Sequence, residues 1–113
     1  MPKFNFNNKL FSLVENSEKG SATAKTIFEY KQEESLVTAD YHGGGIKYGK
    51  IIAILENDVL HMRYQCVTDD GELKAGKAIA QVSLTTHDKL RLKLNWEWFG
   101  KGHEKGVSEY IEN

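Results

Sequence analysis

In the segment Leu90 to Trp98, which reads LRLKLNWEW, leucine and tryptophan take every second place, and arginine, lysine, asparagine and glutamate take the others. A period of two is the geometry of a β-strand, whose successive side chains point to opposite faces. Leaving Leu90, Leu92, Leu94, Trp96 and Trp98 in water would cost roughly 1.5 to 3 kcal/mol each. That parity therefore turns inward, and Arg91, Lys93, Asn95 and Glu97 form the solvent face.

The same period recurs along most of the chain. In SATAKTIFEYK, Ala22, Ala24, Thr26, Phe28 and Tyr30 share one parity. A polar QEE break separates this run from SLVTADYH, which ends in the triple glycine Gly43 to Gly45. IKYGKIIAILE and VLHMRYQCV, divided by END, read as a second hairpin, and the Asp-Gly pair of TDDG supplies the positive φ of a tight turn. ELKAGKAIAQVSL follows, with Gly76 predicting a bulge or bend. VSEYIE closes the chain after a GKGHEKG turn, and NKLFSLVEN, turned by SEKG, opens it. The sum is about eight strands, and no segment shows the spacing of an amphipathic helix.

Sequential antiparallel strands of this number predict an all-β, up-and-down meander. A flat sheet would expose two edges and one apolar face, whereas closure pairs the edges and encloses the face. The expected fold is a small β-barrel in one domain spanning residues 1–113, with two packed four-stranded sheets as the alternative. Fifteen basic against sixteen acidic residues give a net charge of −1, which supplies no field towards nucleic acid or an anionic membrane. No apolar run is long enough for a membrane helix. The lone Cys66 excludes an internal disulfide framework, and together with the polar start of the chain it points to the cytoplasm.

An eight-stranded barrel is just wide enough to be filled by side chains or to hold one small ligand. Phe28, Tyr30, Tyr41, Trp96 and Trp98 are the expected apolar and aromatic walls. A polar anchor is less determined, because Arg63 and Gln65 alternate with Leu60, Met62, Tyr64 and Cys66, and either set can face the lumen. The reluctance of charge to be buried favours the second set. The functional case is the reverse, in which Arg63 or Gln65 points inward and Arg63 meets an acidic partner or a bound anion.

Other motifs carry less. Gly44 to Lys50 fits G-x-x-x-x-G-K, but Ile51 stands where a phosphate-binding loop has its Ser or Thr, and a β-branched strand follows instead of a helix. His42, His61, His87 and His103 lack metal-site spacing, so no metal and no cofactor are expected. Cys66 reads as packing rather than as a nucleophile. Glu33-Glu34 and Asp69-Asp70 fall in turns, while Glu109 and Glu112 on the last strand are candidates to meet Arg63 or Lys77 across the barrel. Lys89, Arg91, Lys93, Lys101, His103 and Lys105 are basic, but the tryptophans lie on the opposite face from the basic row, against the needs of a stacking nucleic-acid surface.

Taken together, YHGGGIKYGKIIA, LHMRYQCVTDDGELKAGK, LRLKLNWEW and KGVSEYIE resemble a group of short bacterial proteins, common in Bacteroidetes, named N-acetylglutamate synthase. The similarity runs from about Phe11 to the end and centres on Arg63-Tyr64-Gln65 and Trp96-Glu97-Trp98. The name implies acetyl transfer from acetyl-coenzyme A. In shape the meander resembles the calycin-like barrels, lipocalins and avidin-like proteins, which hold a small ligand in the barrel mouth.

Three functions are thus on the table. The first is a non-catalytic barrel for a small apolar or aromatic ligand. The second is a filled barrel whose outward apolar residues, expected in the Ile27, Ile51 and Ile79 parities, meet a protein partner or a second copy in a homodimer. The third is an enzyme, the acetyltransferase that the name implies.

Overall fold

The computed structural model describes residues 4–16, 25–100 and 104–113. The expected strand positions Ala22 and Ala24, the SEKG turn, and Lys101 and His103 lie outside them. Eight strands form in chain order: β1 (Lys9–Asn16), β2 (Ile27–Glu33), β3 (Leu36–Gly43), β4 (Ile46–Glu56), β5 (Val59–Thr68), β6 (Leu73–Leu84), β7 (Leu90–Trp98) and β8 (Lys105–Glu112). Each pairs antiparallel with the next, and β1 also pairs with β8, so the sheet is a closed barrel. This decides between the barrel and the two-sheet alternative. No helix among the described residues is long and apolar enough to cross a membrane.

The turns carry the chemistry expected of them. Gly43, Gly44 and Gly45 all have positive φ, which suits residues without a Cβ. A Cβ at Gly43 would stand 2.7 Å from the carbonyl oxygen of Lys25. The triple glycine is therefore a hairpin turn held against the start of β2, where the Thr26 hydroxyl donates to the Gly43 carbonyl at 2.9 Å. Thr26 is spent on that tie. The alternation expected from Ser21 begins at Ile27 in the described residues.

Two ends follow from the strand directions. One bears the turns Glu34-Ser35, Asn57-Asp58 and Thr85–Lys89, and it is closed by the residues before β1. Phe6 is fully buried there, 5.8 Å from Phe11 and 5.5 Å from Tyr30 between ring centroids. Its amide donates to the Gln32 side chain at 2.7 Å, and the Asn8 amide donates to the Tyr30 carbonyl. At the same end the Glu112 carboxylate accepts from the Leu90 amide at 3.0 Å and pairs with Lys9 at 3.1 Å, which ties β1, β7 and β8 together. Glu109 pairs with Arg91 at 3.2 Å. Neither glutamate reaches Arg63 or Lys77, because both pair with neighbours on adjacent strands rather than across the lumen.

Small residues on β6 make the interior fit. Gly76, Ala78 and Ala80 face inward, and their cross-strand partners are Tyr64, Met62 and Leu60 on β5 and Trp98, Trp96 and Leu94 on β7. Alternating small and large side chains in this way fills the limited width of an eight-stranded barrel. No register shift occurs at Gly76, so the expected bulge is absent there. The glycine serves close approach instead, since a Cβ would lie 2.2 Å from the Glu97 carbonyl oxygen and 2.9 Å from the Tyr64 ring. Gly49 does the same for Tyr41, whose ring would meet a Cβ at 2.2 Å.

One parity differs from expectation. A bulge between Ile46 and Tyr48 resets the alternation of β4. Ile46, Gly49, Ile51, Ala53 and Leu55 are buried, while Ile52 and Ile54 face outward at 56% and 50% exposure. Ile51 is thus a core residue. Ile79 is exposed as expected, and Ile27 is half-buried.

Candidate functional site

The opposite end of the barrel, reached by the Gly44-Gly45 and Asp69–Glu72 turns, collects most of the interior aromatics. Phe28 stacks on Tyr41 at 4.8 Å and meets Tyr110 edge-on at 4.8 Å. Tyr64 meets Trp98 edge-on at 5.3 Å, and Trp96 lies 6.4 Å from Trp98. These two groups are close enough for Tyr64 and Tyr110 to act electrostatically on Tyr41.

Four of the polar groups here are already engaged within the protein. The Trp96 indole N–H donates to the Ser108 hydroxyl at 2.7 Å in a buried bond. The Tyr41 hydroxyl donates to the Gln65 carbonyl at 3.4 Å. That of Tyr64 reaches the carbonyls of Lys77 at 3.0 Å and Glu97 at 3.1 Å, bridging β6 and β7 above Gly76. Burial raises the pKa of Tyr41 and of Tyr64, for Tyr64 against the lowering effect of the Glu97 carbonyl, and pushes Tyr110 up to about 12. Burial likewise raises the Cys66 thiol, more than Tyr41 and Lys74 lower it, so no activated thiolate is set up.

Trp98 is the exception. It is 8% exposed, and its indole N–H has no hydrogen-bond partner among the described residues. Leaving such a donor unmet costs about 1 to 3 kcal/mol. Beside it, the Lys74 ammonium lies 4.3 Å from the centroid of the Trp98 ring. Lys74 pairs across the sheet with the buried Cys66, which puts its stem on the inner parity.

Of the residues expected from sequence, Phe28, Tyr41, Trp96 and Trp98 come together at this end. Tyr30 does not. It packs 4.9 Å from Phe11 and against Phe6 at the closed end, because β2 runs towards that end after Phe28. Arg63 and Gln65 are exposed on the outer face, where pairing of Met62 with Ala53 and Ala78, and of Cys66 with Gly49, places the other parity inside. Neither side chain is an interior anchor, and Gln65 contributes only its carbonyl. Sequence reasoning passed over Tyr64, Ser108 and Lys74 as site residues. The inward parity of Gly76 was a usable signal for Lys74, as that of Tyr110 was for Ser108.

A closed eight-stranded meander with a tryptophan-lined end agrees with the comparison to known families, in which the model for avidin-like proteins matches residues 4–113. The chain belongs to the avidin-like family. No curated protein and no solved structure matches it. Within this avidin-like barrel, one end is filled by Phe6, Phe11 and Tyr30, and the other holds the Trp98 N–H, unmatched among the described residues.

Proposed function

We propose that this avidin-like chain binds a small apolar or aromatic molecule at the end bearing Trp96 and Trp98, without catalysing a reaction on it. The observation that carries this reading is the buried N–H of Trp98, which has no partner among the described residues. Buried polar groups nearly always have partners, and an orphan beside a wall of aromatic rings is the pattern of a site awaiting an acceptor. Membership of the avidin-like family supports the same reading at the level of fold. An acetyl-coenzyme A site, as the N-acetylglutamate synthase resemblance implies, would draw on a helix N-terminus for the pyrophosphate, and the described residues form strands and turns.

A thermal-shift screen against a metabolite library tests it. A ligand at about 100 times its dissociation constant adds about 2.7 kcal/mol of stability. The expected result is a ligand whose shift is lost in Trp98→Phe, a variant that keeps a ring and removes the donor. Hits whose shifts are the same in Trp98→Phe and in wild type would place binding elsewhere and defeat the proposal.

A second reading rests on the outer face. Leu36, Ile52, Ile54 and Ile79 are exposed on β3, β4 and β6, and the register Leu36, Ile54, His61, Ile79 sets three of them in one row. Beside them Asp40 pairs with Lys50 at 3.2 Å, so the apolar row, rather than free charge, is what a second copy would cover. Light scattering is expected to give a dimer that Ile54→Lys converts to a monomer. A wild-type monomer at the highest concentration tested ends this second reading.

A further inference from the structure

Three features bear on what the tryptophan end can hold. The first is the balance of donors and acceptors. The hydroxyls of Tyr41 and Tyr64 and the indole of Trp96 are committed to Gln65, Lys77, Glu97 and Ser108, and Ser108 also hydrogen-bonds Tyr110. Besides the tyrosines and tryptophans, the buried polar side chains among the described residues are Ser108 and Thr26, which is tied to the Gly43 carbonyl. No buried carboxylate, carboxamide or imidazole is therefore present among those residues to receive a ligand's N–H or O–H. The one buried side-chain polar atom without a partner among them is a donor, the Trp98 N–H. The second feature is charge. In the two connections beside Trp98, β5 to β6 and β7 to β8, the charged side chains among the described residues are Asp69, Asp70, Glu72 and Glu104, all acidic. Lys74, 4.3 Å from the centroid of the Trp98 ring, is engaged within the protein. The third is depth. Met62 is level with Trp96 through Ala78 and fully buried, and Leu92 and Phe11 fill the interior farther in.

We infer that the ligand is a neutral molecule that accepts a hydrogen bond and donates none, a small ketone or ester whose carbonyl takes the Trp98 N–H and whose apolar body lies against the Tyr64, Trp96 and Trp98 rings. This rests on the reading of that end as a binding site and adds the chemical class. A carbonyl oxygen meets the one unmet donor. A ligand N–H or O–H would exchange water for hydroxyl oxygens already in bonds, and a buried donor left unmet loses its full hydration. A cation brings donors alone and leaves Trp98 unmatched, while an anion has to pass an acidic rim into an interior without a cation to spare for it. The filled layer at Met62 and Trp96 leaves the level of Tyr64, Gly76 and Trp98, where Gly76 contributes no side chain, so the body is a single ring or a short chain.

Four probes of nearly the same planar shape separate these terms: acetophenone accepts only, benzamide adds donors, benzoate adds charge, and α-methylstyrene replaces the carbonyl oxygen by a methylene. Dissociation constants come from proton–nitrogen correlation spectra of the full chain titrated with each, and each affinity is divided by the probe's measured octanol–water partition ratio to remove plain hydrophobicity. Acetophenone is expected to bind about tenfold more tightly than α-methylstyrene and than benzamide on this scale, the size of one buried hydrogen bond made or one donor left unmet, and benzoate more weakly than either amide or ketone. Trp98→Phe lowers acetophenone affinity about tenfold and leaves α-methylstyrene unchanged, with thermal midpoints showing that the variant has folded. The comparison among the four probes is made on the wild type and holds whatever the stability of the variant. Benzamide equal to acetophenone, benzoate tighter than acetophenone, or α-methylstyrene as tight as acetophenone overturns the inferred class while the Trp98 signal still reports binding at this end. Acetophenone that fails to bind at its solubility limit leaves the N–H to water and overturns the class as well. Binding of all four probes that moves neither indole signal and is the same in Trp98→Phe overturns the site itself.

Discussion

Gly76→Ala is expected to destabilise the barrel by about 3 kcal/mol, the upper part of the range for overpacking a filled interior. The added methyl would lie 2.2 Å from the Glu97 carbonyl oxygen, which is main chain, so β6 and β7 must separate to admit it. It would also meet the Tyr64 ring at 2.9 Å and disturb the hydroxyl that bridges the Lys77 and Glu97 carbonyls. Gly49→Ala makes an equally short contact, but with the Tyr41 side chain. Double-mutant cycles by urea unfolding separate the two cases. In a Tyr41→Leu background the cost of Gly49→Ala falls sharply, whereas in a Tyr64→Leu background most of the cost of Gly76→Ala remains. Equal relief at both positions would contradict the main-chain clash.

Alkaline pH is expected to unfold the protein steeply. Tyr30, Tyr41, Tyr64 and Tyr110 all have pKa values raised by burial above the ordinary 10.0. Unfolding returns each to that value, so above it the unfolded chain sheds protons that the folded chain keeps. Each tyrosine thus contributes stability that is present below pH 10 and lost as pH rises, at about 1.4 kcal/mol per pH unit. For Tyr110 the loss continues until about 12. Tyr110→Phe therefore flattens the decline between these limits by one tyrosine's share. Tyr48, exposed and donating to Asp40 at 2.6 Å, titrates without unfolding. Phenolate absorbance showing all five tyrosines ionising together near pH 10 in a chain that remains folded would contradict the burial described.

What could be read from the amino acids follows from how local each signal is. Leu90 to Trp98 announces its faces because alternation is a property of one strand, and it is met residue by residue in β7. Closure into a barrel was legible from strand number and the absence of helices. Ile51 was misplaced because the bulge at Ile46 and Tyr48 shifts parity, and nothing within IKYGKIIAILE marks where the extra residue falls. Gly76 had two meanings, a bulge or a place for a neighbouring ring to cross, and only the pairing with Tyr64 and Trp98 chooses between them. Phe4 and Phe6 were missed as core because they belong to no strand, and Phe6 is packed by Phe11 and Tyr30 further along the chain. The site divides the same way. Trp96 and Trp98 stood out by size, but that one indole is satisfied by Ser108 and the other by nothing described depends on register across strands.

The two indoles also provide the most direct measurement. With only two tryptophans in the chain, a proton–nitrogen correlation spectrum of labelled protein contains two indole N–H signals, which Trp98→Phe assigns. On addition of a ligand found by thermal shift, the Trp98 signal is predicted to move as its N–H gains an acceptor, while the Trp96 signal, held by Ser108, moves little. A ligand that stabilises the protein and leaves the Trp98 signal in place would contradict the assignment of this end of the barrel as the binding site.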